Sequence, residues 1–118
     1  MPDELTITGG LANIIIPAQK QVALKPAVAE LMQNSPNPFR GATALRFVLP
    51  AQGHVALQVF DLSGRLVATL HDGDLPAGAH TLDWSGRDDT GVSTPAGFYF
   101  YRLTAPGFVE TKKMLRVK

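Results

Sequence analysis

The sequence predicts an all-β fold, an immunoglobulin- or fibronectin-III-like antiparallel β-sandwich of about seven strands. Three observations carry that expectation. From Gly41 onward apolar and polar residues alternate in short runs. Turn-forming residues interrupt those runs about every ten residues, and no helical apolar period lies between them. The first run, Ala44 to Leu49, reads as a strand ended by Pro50. Val55 to Phe60 places Val55, Leu57 and Val59 on one face by the period of two. Asp61-Leu-Ser-Gly64 is a tight hairpin signal in which Gly64 can take positive φ, and Arg65 to Leu70 is the returning strand.

D-G-D-L-P-A-G (72–78) then reads as a second turn, and Ala79 to Trp84 as a strand with His80, Leu82 and Trp84 on one face. Ser85 to Gly97 is a loop rich in Gly, Asp, Thr and Pro. Phe98 to Leu103 is aromatic and β-forming, Pro106-Gly107 turns the chain, and Val109 to Val117 is the last strand. The expected core is Phe47, Val55, Leu57, Val59, Leu82, Trp84, Tyr99, Tyr101 and Leu115.

Two domain segments are expected. Residues 1–33 form a linker or β-prone arm, and residues 34–118 form the sandwich. The arm has two apolar bursts, Leu11 to Ile16 and Val22 to Leu24, and Gly9-Gly10, Pro17 and Pro26 break any long helix. Either burst is a source for a seventh strand; Val28 to Gln33 fits one helical turn or a linker. The boundary is N34-S-P-N-P-F-R-G41. Pro36 and Pro38 stiffen it, Asn34 and Asn37 suit Asx turns, and Phe39 is its one group that gains by burial. Phe39 is therefore expected to plug one end of the sandwich and fix the start of the first strand.

Composition excludes several function classes. A 118-residue chain with 45% hydrophobic residues can build one real core. A net charge of +1, with scattered basic residues, is no footprint for nucleic acid. Without cysteine there is no disulfide, thiolate metal site or cysteine nucleophile. No apolar run reaches the roughly 20 residues of a membrane helix, and MPDELTITGG has acids where a signal peptide needs a basic segment.

Candidate chemistry is sparse. His54, His71 and His80 fall in separate elements without metal-ligand spacing. Asp72-Gly-Asp74 and Asp88-Asp89 lack the full calcium-loop series and read as turn formers. Ser63 precedes a hairpin glycine rather than occupying a nucleophile elbow, and no carboxylate pair is singled out. Trp84, Phe98, Tyr99, Phe100 and Tyr101 offer stacking surfaces for a sugar, but one face of that strand must be core. The sequence thus predicts no enzyme, no cofactor, no metal and no small-molecule ligand, and points to protein partners.

Taken in order, N-S-P-N-P-F, the strand ending in L-P, V-x-L-x-V-F-D-L-S-G-R-L-V, L-P-A-G-x-H-x-L-x-W, G-R-D-D-T-G, P-A-G-F-Y-F-Y-R-L and K-K-M-L-R-V-K resemble a known family. They resemble the carboxy-terminal sorting domains of the type IX secretion system and the related immunoglobulin-like domain of flagellar hook-capping proteins. The resemblance runs from about Leu31 to Lys118, and its motif positions here are Asn37, Pro38, Phe39, Gly64, Arg65, Trp84, Gly97 and Tyr99. One departure is Trp84-Ser85-Gly86, where the family typically has W-D-G. The resemblance places Tyr99 and Tyr101 inward and Phe98 and Phe100 on the opposite face, where the two rings form a small apolar patch that either contacts a partner or, as the favoured expectation, lies under the amino-terminal segment. It implies a non-catalytic sorting and anchoring module, bacterial and extracellular or at the cell surface, recognised by an outer-membrane translocation machine. The last strand would be read there, with Lys112, Lys113 and Lys118 offered and Met114, Leu115 and Val117 holding it in place.

The arm supports an alternative, a structural assembly subunit. A sandwich has sheet edges that another strand can complete. Ile14, Ile15, Ile16, Val22 and Leu24 are too apolar for a solvated linker, so this arm is expected to pair with an edge in its own molecule or in a neighbour.

Overall fold

The computed structural model describes residues 28–118. Alternation from Thr43 onward produces six strands, and the lead-in supplies a seventh. These are β1 (Glu30–Leu31), β2 (Thr43–Leu49), β3 (Gly53–Asp61), β4 (Leu66–Leu75), β5 (Gly78–Trp84), β6 (Gly97–Ala105) and β7 (Phe108–Arg116). They form two sheets, a three-stranded one in the order β1-β2-β5 and a four-stranded one in the order β4-β3-β6-β7. Every neighbouring pair is antiparallel. This is the predicted β-sandwich.

The inner faces meet at Leu45, Phe47 and Leu49 from β2, Val55, Leu57 and Val59 from β3, and Tyr99, Tyr101 and Leu103 from β6, all buried with Trp84. The period of two delivers each set to one side of its strand. Phe98 and Phe100 face outward, as the opposite phase requires. The Asp61–Gly64 hairpin closes through Gly64 N–H donating to the Asp61 carbonyl at 2.9 Å, with Gly64 at φ 90°.

Four expectations need correction. The segment Val28 to Gln33 forms no helical turn: it holds β1, which pairs Glu30 with Val48 and Leu31 with Phe47. Leu31 is buried, so the core begins before the proline-rich stretch, while the bursts at 11–16 and 22–24 lie outside the described residues. The stretch 72–75 is strand rather than turn. Asp72 and Asp74 stand opposite Ala56 and His54, and Gly73 opposite Val55, so the acids face out and only Pro76-Ala77 turns.

The phase of β7 is also shifted. Met114 and Arg116 are the buried residues and Leu115 is half-buried on the outer face. The reason is amphipathic: the Arg116 stem lies inside while its head finds polar partners at the sheet end. Leu82 is half-covered rather than buried, because β5 is an edge strand.

Candidate functional site

The last strand and the N-P-N-P-F lead-in come together at one end of the sandwich. Phe39 is 1% exposed. Its ring meets Trp84 edge-on at 5.7 Å, and Trp84 meets Tyr99 in the same way at 5.2 Å, so an aromatic row joins the lead-in to both sheets. The Trp84 indole N–H donates to the Arg87 carbonyl at 2.8 Å, and the Tyr99 hydroxyl to the Pro95 carbonyl at 2.6 Å. Each ring thereby anchors the 85–96 loop as well as filling space.

The backbone of Phe39 pairs with β7. Phe39 N–H donates to the Leu115 carbonyl at 3.0 Å, and Val117 N–H donates to the Phe39 carbonyl at 2.8 Å. Asn37 does not form the expected Asx turn; its Oδ1 accepts from Leu115 N–H at 3.0 Å, while Gln33 Nε2 donates to the Lys113 carbonyl at 2.9 Å. Asn34 is buried, and its Nδ2 donates to the Pro36 carbonyl and to Thr43 Oγ1. The peptide bonds before Pro36 and Pro38 are both cis.

Tyr101 fastens the lead-in from below. Its hydroxyl donates to the Met32 carbonyl at 2.7 Å and accepts from Asn34 N–H at 2.8 Å. Burial pushes the phenol up to about 12, against the lowering effect of the Asn34 N–H, and the charge of Glu110 adds to the rise. The hydroxyl therefore stays protonated across the physiological range.

The proposed recognition residues divide between faces. Lys112 is half-covered on the inner side of the edge and pairs with Glu110 at 3.3 Å. Lys113 is exposed on the outer face, its ammonium 4.9 Å from the centre of the Phe98 ring. Leu115 and Val117 share that outer side, Met114 is in the core, and Lys118 is exposed with its carbonyl accepting from Arg40 Nη1. Phe60 lies next to Phe100 on the same face, under the Arg102 guanidinium at 4.5 Å. The outer face at this end is thus aromatic and capped by two cations. Ile14, Ile15, Ile16, Val22 and Leu24 lie outside the described residues.

The other motif positions shape turns. Arg65 closes the first hairpin, its N–H donating to Asp61 Oδ1 at 3.0 Å and its Nε 3.4 Å from Asp61 Oδ2. The Ser63 hydroxyl, then the Arg65 and Ser63 N–H groups, hold the Asp61 carboxyl below its usual range, and the Arg65 charge adds to this. Asp88 repeats the arrangement with Thr90 and Val92. Gly97 opens β6 at φ 147°. The histidines have local roles: His54 bonds Asp72, His71 the Gly73 carbonyl, and His80 the Pro76 carbonyl while stacking on Phe47. Among the described residues no group of three His, Cys, Asp or Glu side chains is arranged to hold a metal.

One functional group escaped sequence reasoning. The Arg116 guanidinium is buried, donating from Nη2 to Ser93 Oγ at 3.1 Å and from Nη1 to the Arg40 carbonyl at 3.4 Å. Its Nε has no partner among the described residues. It lies flat on Gly86, where an added Cβ would come within 2.4 Å of Nε, and Gly86 is at φ 78°. Gly86→Ala is therefore expected to cost about 2–4 kcal/mol from left-handed backbone plus overpacking. Urea unfolding of Gly86→Ala in an Arg116→Met background checks the cause: the penalty should shrink to the backbone part, about 1–2 kcal/mol. An undiminished penalty would mean the guanidinium contact does not matter.

Comparison with known proteins fits this geometry. Residues 34–107 match the FlgD Ig-like domain family. The chain belongs to that family. Over 51 residues it is 41% identical to the basal-body rod modification protein FlgD of Salmonella typhimurium, and equally to that of Salmonella typhi. Those matches take in 43% of this chain but 22% of each relative. Among solved structures, dimeric latent PorU from Porphyromonas gingivalis contains a region similar to this FlgD Ig-like domain. It aligns at a TM-score of 0.63 and 27% identity, over 80% of this chain and 10% of that one. PorZ of the same organism, described as an essential bacterial surface component of the type-IX secretion system, shares the fold. There the TM-score is 0.51 at 18% identity, over 73% of this chain and 11% of that one.

Proposed function

We propose that this FlgD Ig-like domain is a non-catalytic sorting and anchoring module, recognised by an outer-membrane secretion machine for export and attachment at the bacterial surface. The observation that carries the reading is the docking of the N-P-N-P-F lead-in onto the last strand. Through Asn37, Phe39 and Gln33 the lead-in takes up the outward backbone groups of Lys113, Leu115 and Val117. The two segments that most resemble a sorting signal thus form one folded epitope. The likeness to a region of PorU and the fold shared with PorZ support the same reading.

This docking limits how a receptor can read the strand. The edge from Lys113 to Val117 is already paired, so strand addition there would have to displace Phe39. Recognition falls instead on side chains of the outer face, with Lys113 beside Phe98 and Phe100, and on exposed Lys118. Lys112 and Met114 hold the strand from inside.

Fusing the full chain to a periplasmic reporter in a host with a type IX system tests the proposal. Surface display of the reporter is the expected result, and a reporter retained in the periplasm overturns it. Lys113→Glu combined with Lys118→Glu should fold normally and lower display about tenfold, equivalent to about 1.4 kcal/mol of lost recognition. Undiminished display would free the two lysines of any role.

A further inference from the structure

Large apolar side chains gather on the outer face of the four-stranded sheet, at the end that carries the Asp61–Gly64 hairpin. One row across the sheet is Leu66, Phe60, Phe100 and Lys113, on β4, β3, β6 and β7 in turn. In the next row toward the hairpin Phe98 stands opposite Leu115. Leu62, at the hairpin tip, shares with Phe98 the wall of a hollow of about 340 Å³. Leu62 is 65% exposed, Leu66 47% and Phe98 44%, so the patch meets solvent. The core is built from the opposite phase of the same strands. A face that needed only to be wet would carry polar residues at these positions.

The charge on this patch has one sign. The Arg102 guanidinium lies 4.5 Å from the centre of the Phe60 ring, and the Lys113 ammonium 4.9 Å from that of Phe98. Phe100 sits between the two cations, with Phe60 and Lys113 beside it on the neighbouring strands. The carboxylates of the same sheet are engaged elsewhere. Asp61 accepts from Ser63 and Arg65 within its hairpin, and Glu110, in the opposite phase of β7, holds Lys112. Asp72 and Asp74 meet His54 at the far end of β3. Ala56, the partner of Asp72, is four residues from Phe60, roughly 13 Å along the strand.

We infer that this face docks a protein segment that places an apolar side chain over Phe100 and a carboxylate on either side of it, one for Arg102 and one for Lys113. The partner's identity rests on the export reading above, to which this face adds the chemistry its receptor must carry. Charge complementarity selects the occupant. A second copy packed face to face would bring these cations against their like. An anionic membrane surface is held by clusters of about four to eight basic residues, and this patch has two. A sugar stacks on open ring faces, whereas Phe60 and Phe98 lie under cations. The patch runs roughly 13 Å from Phe98 to Arg102, the length of about four extended residues. Alternate side chains of such a segment point the same way, so acid, apolar and acid at every second position fit it.

Two measurements on the full chain test the docking and separate it from the export reading. The first is an amide-shift titration with acetyl-Glu-Ser-Phe-Ser-Glu-amide and with its Gln-Ser-Phe-Ser-Gln counterpart. The acidic peptide should shift Phe98, Phe100, Arg102 and Lys113, and bind at least about fivefold more tightly than the neutral one. Arg102→Gln combined with Lys113→Gln should abolish that preference at an unchanged urea midpoint. Arg46→Gln, at an exposed position of the other sheet, should keep it. Equal affinity for the two peptides, or shifts confined to other surfaces, would overturn the inference. So would tighter binding of phosphatidylglycerol vesicles through the same residues, or a dimer that Phe98→Gln dissolves. Nuclear Overhauser contacts from residues 1–27 to Phe98 or Phe100 would also overturn it, since the chain would then cover this face itself.

The second measurement is surface display of the reporter fusion carrying the Arg102→Gln, Lys113→Gln pair. Display should fall about tenfold, and undiminished display would overturn the docking of a receptor here. If the native fusion stays in the periplasm while the acidic peptide binds this face, the export reading fails and the docking surface stands. If the native fusion is displayed and the peptide preference is absent, the docking inference fails alone.

Discussion

Trp84→Ala is expected to lower stability by about 3–5 kcal/mol, among the largest effects of any single substitution here. The ring is 1% exposed and touches Phe39 on one side and Tyr99 on the other. Deleting it removes the transfer free energy of the largest core side chain and leaves a cavity that three rigid elements border. β5 cannot move in, because its register with β2 is fixed from Thr43–Trp84 to Leu49–Gly78. The Arg87 carbonyl also loses the indole donor. Urea unfolding should show a lower midpoint at an unchanged slope. A loss below about 1 kcal/mol would mean that the indole is at the surface in solution.

Trp84 and Tyr99 of the aromatic row were legible in the sequence because they sit on strands with a clean period of two. Val55, Leu57 and Val59 on β3, and Tyr99, Tyr101 and Leu103 on β6, leave no second way to bury a face. Where the reading failed, a polar group occupied an inner position or a partner distant in sequence decided the outcome. K-K-M-L-R-V hides the phase of β7 because one of its two buried residues is Arg116, whose partners Arg40 and Ser93 come from other loops. β1 is too short to carry a period. It exists because Tyr101, far along the chain, holds Met32 and Asn34 in place. Asp72-Gly-Asp74 carries turn residues, yet alternation with outward acids is also what a strand needs. His54, facing both carboxylates, is consistent with the strand.

The candidate site followed the same division. That Phe39 would plug one end could be read from a lone large ring among prolines. That Asn37 and Gln33 would bond the edge of β7 could not, since both contacts join residues about 80 apart. Local sequence offers Asn37 an Asx turn. The folded chain offers it the Leu115 N–H, an edge donor of β7, and the edge wins.

Phe39→Ala should therefore do two things at once. Loss of the buried ring is expected to cost about 3–5 kcal/mol. The second effect is positional. The ring is what holds the 34–41 segment down, so without it the bonds from Phe39 to Leu115 and Val117 lose their anchor. Amide exchange should report this as faster exchange at Leu115 and Val117, beyond what the global loss of stability explains, with β3 little changed. Phe39→Leu separates the contributions, because it keeps an apolar plug and the backbone pairing but gives up the edge-on contact with Trp84. It should retain most of the protection at Leu115 and Val117. If Phe39→Ala lowers stability while exchange at Leu115 and Val117 changes only in step with β3, the ring fills space and does nothing to fasten the lead-in. The docked lead-in would then owe its position to Asn34, Asn37 and Tyr101 alone.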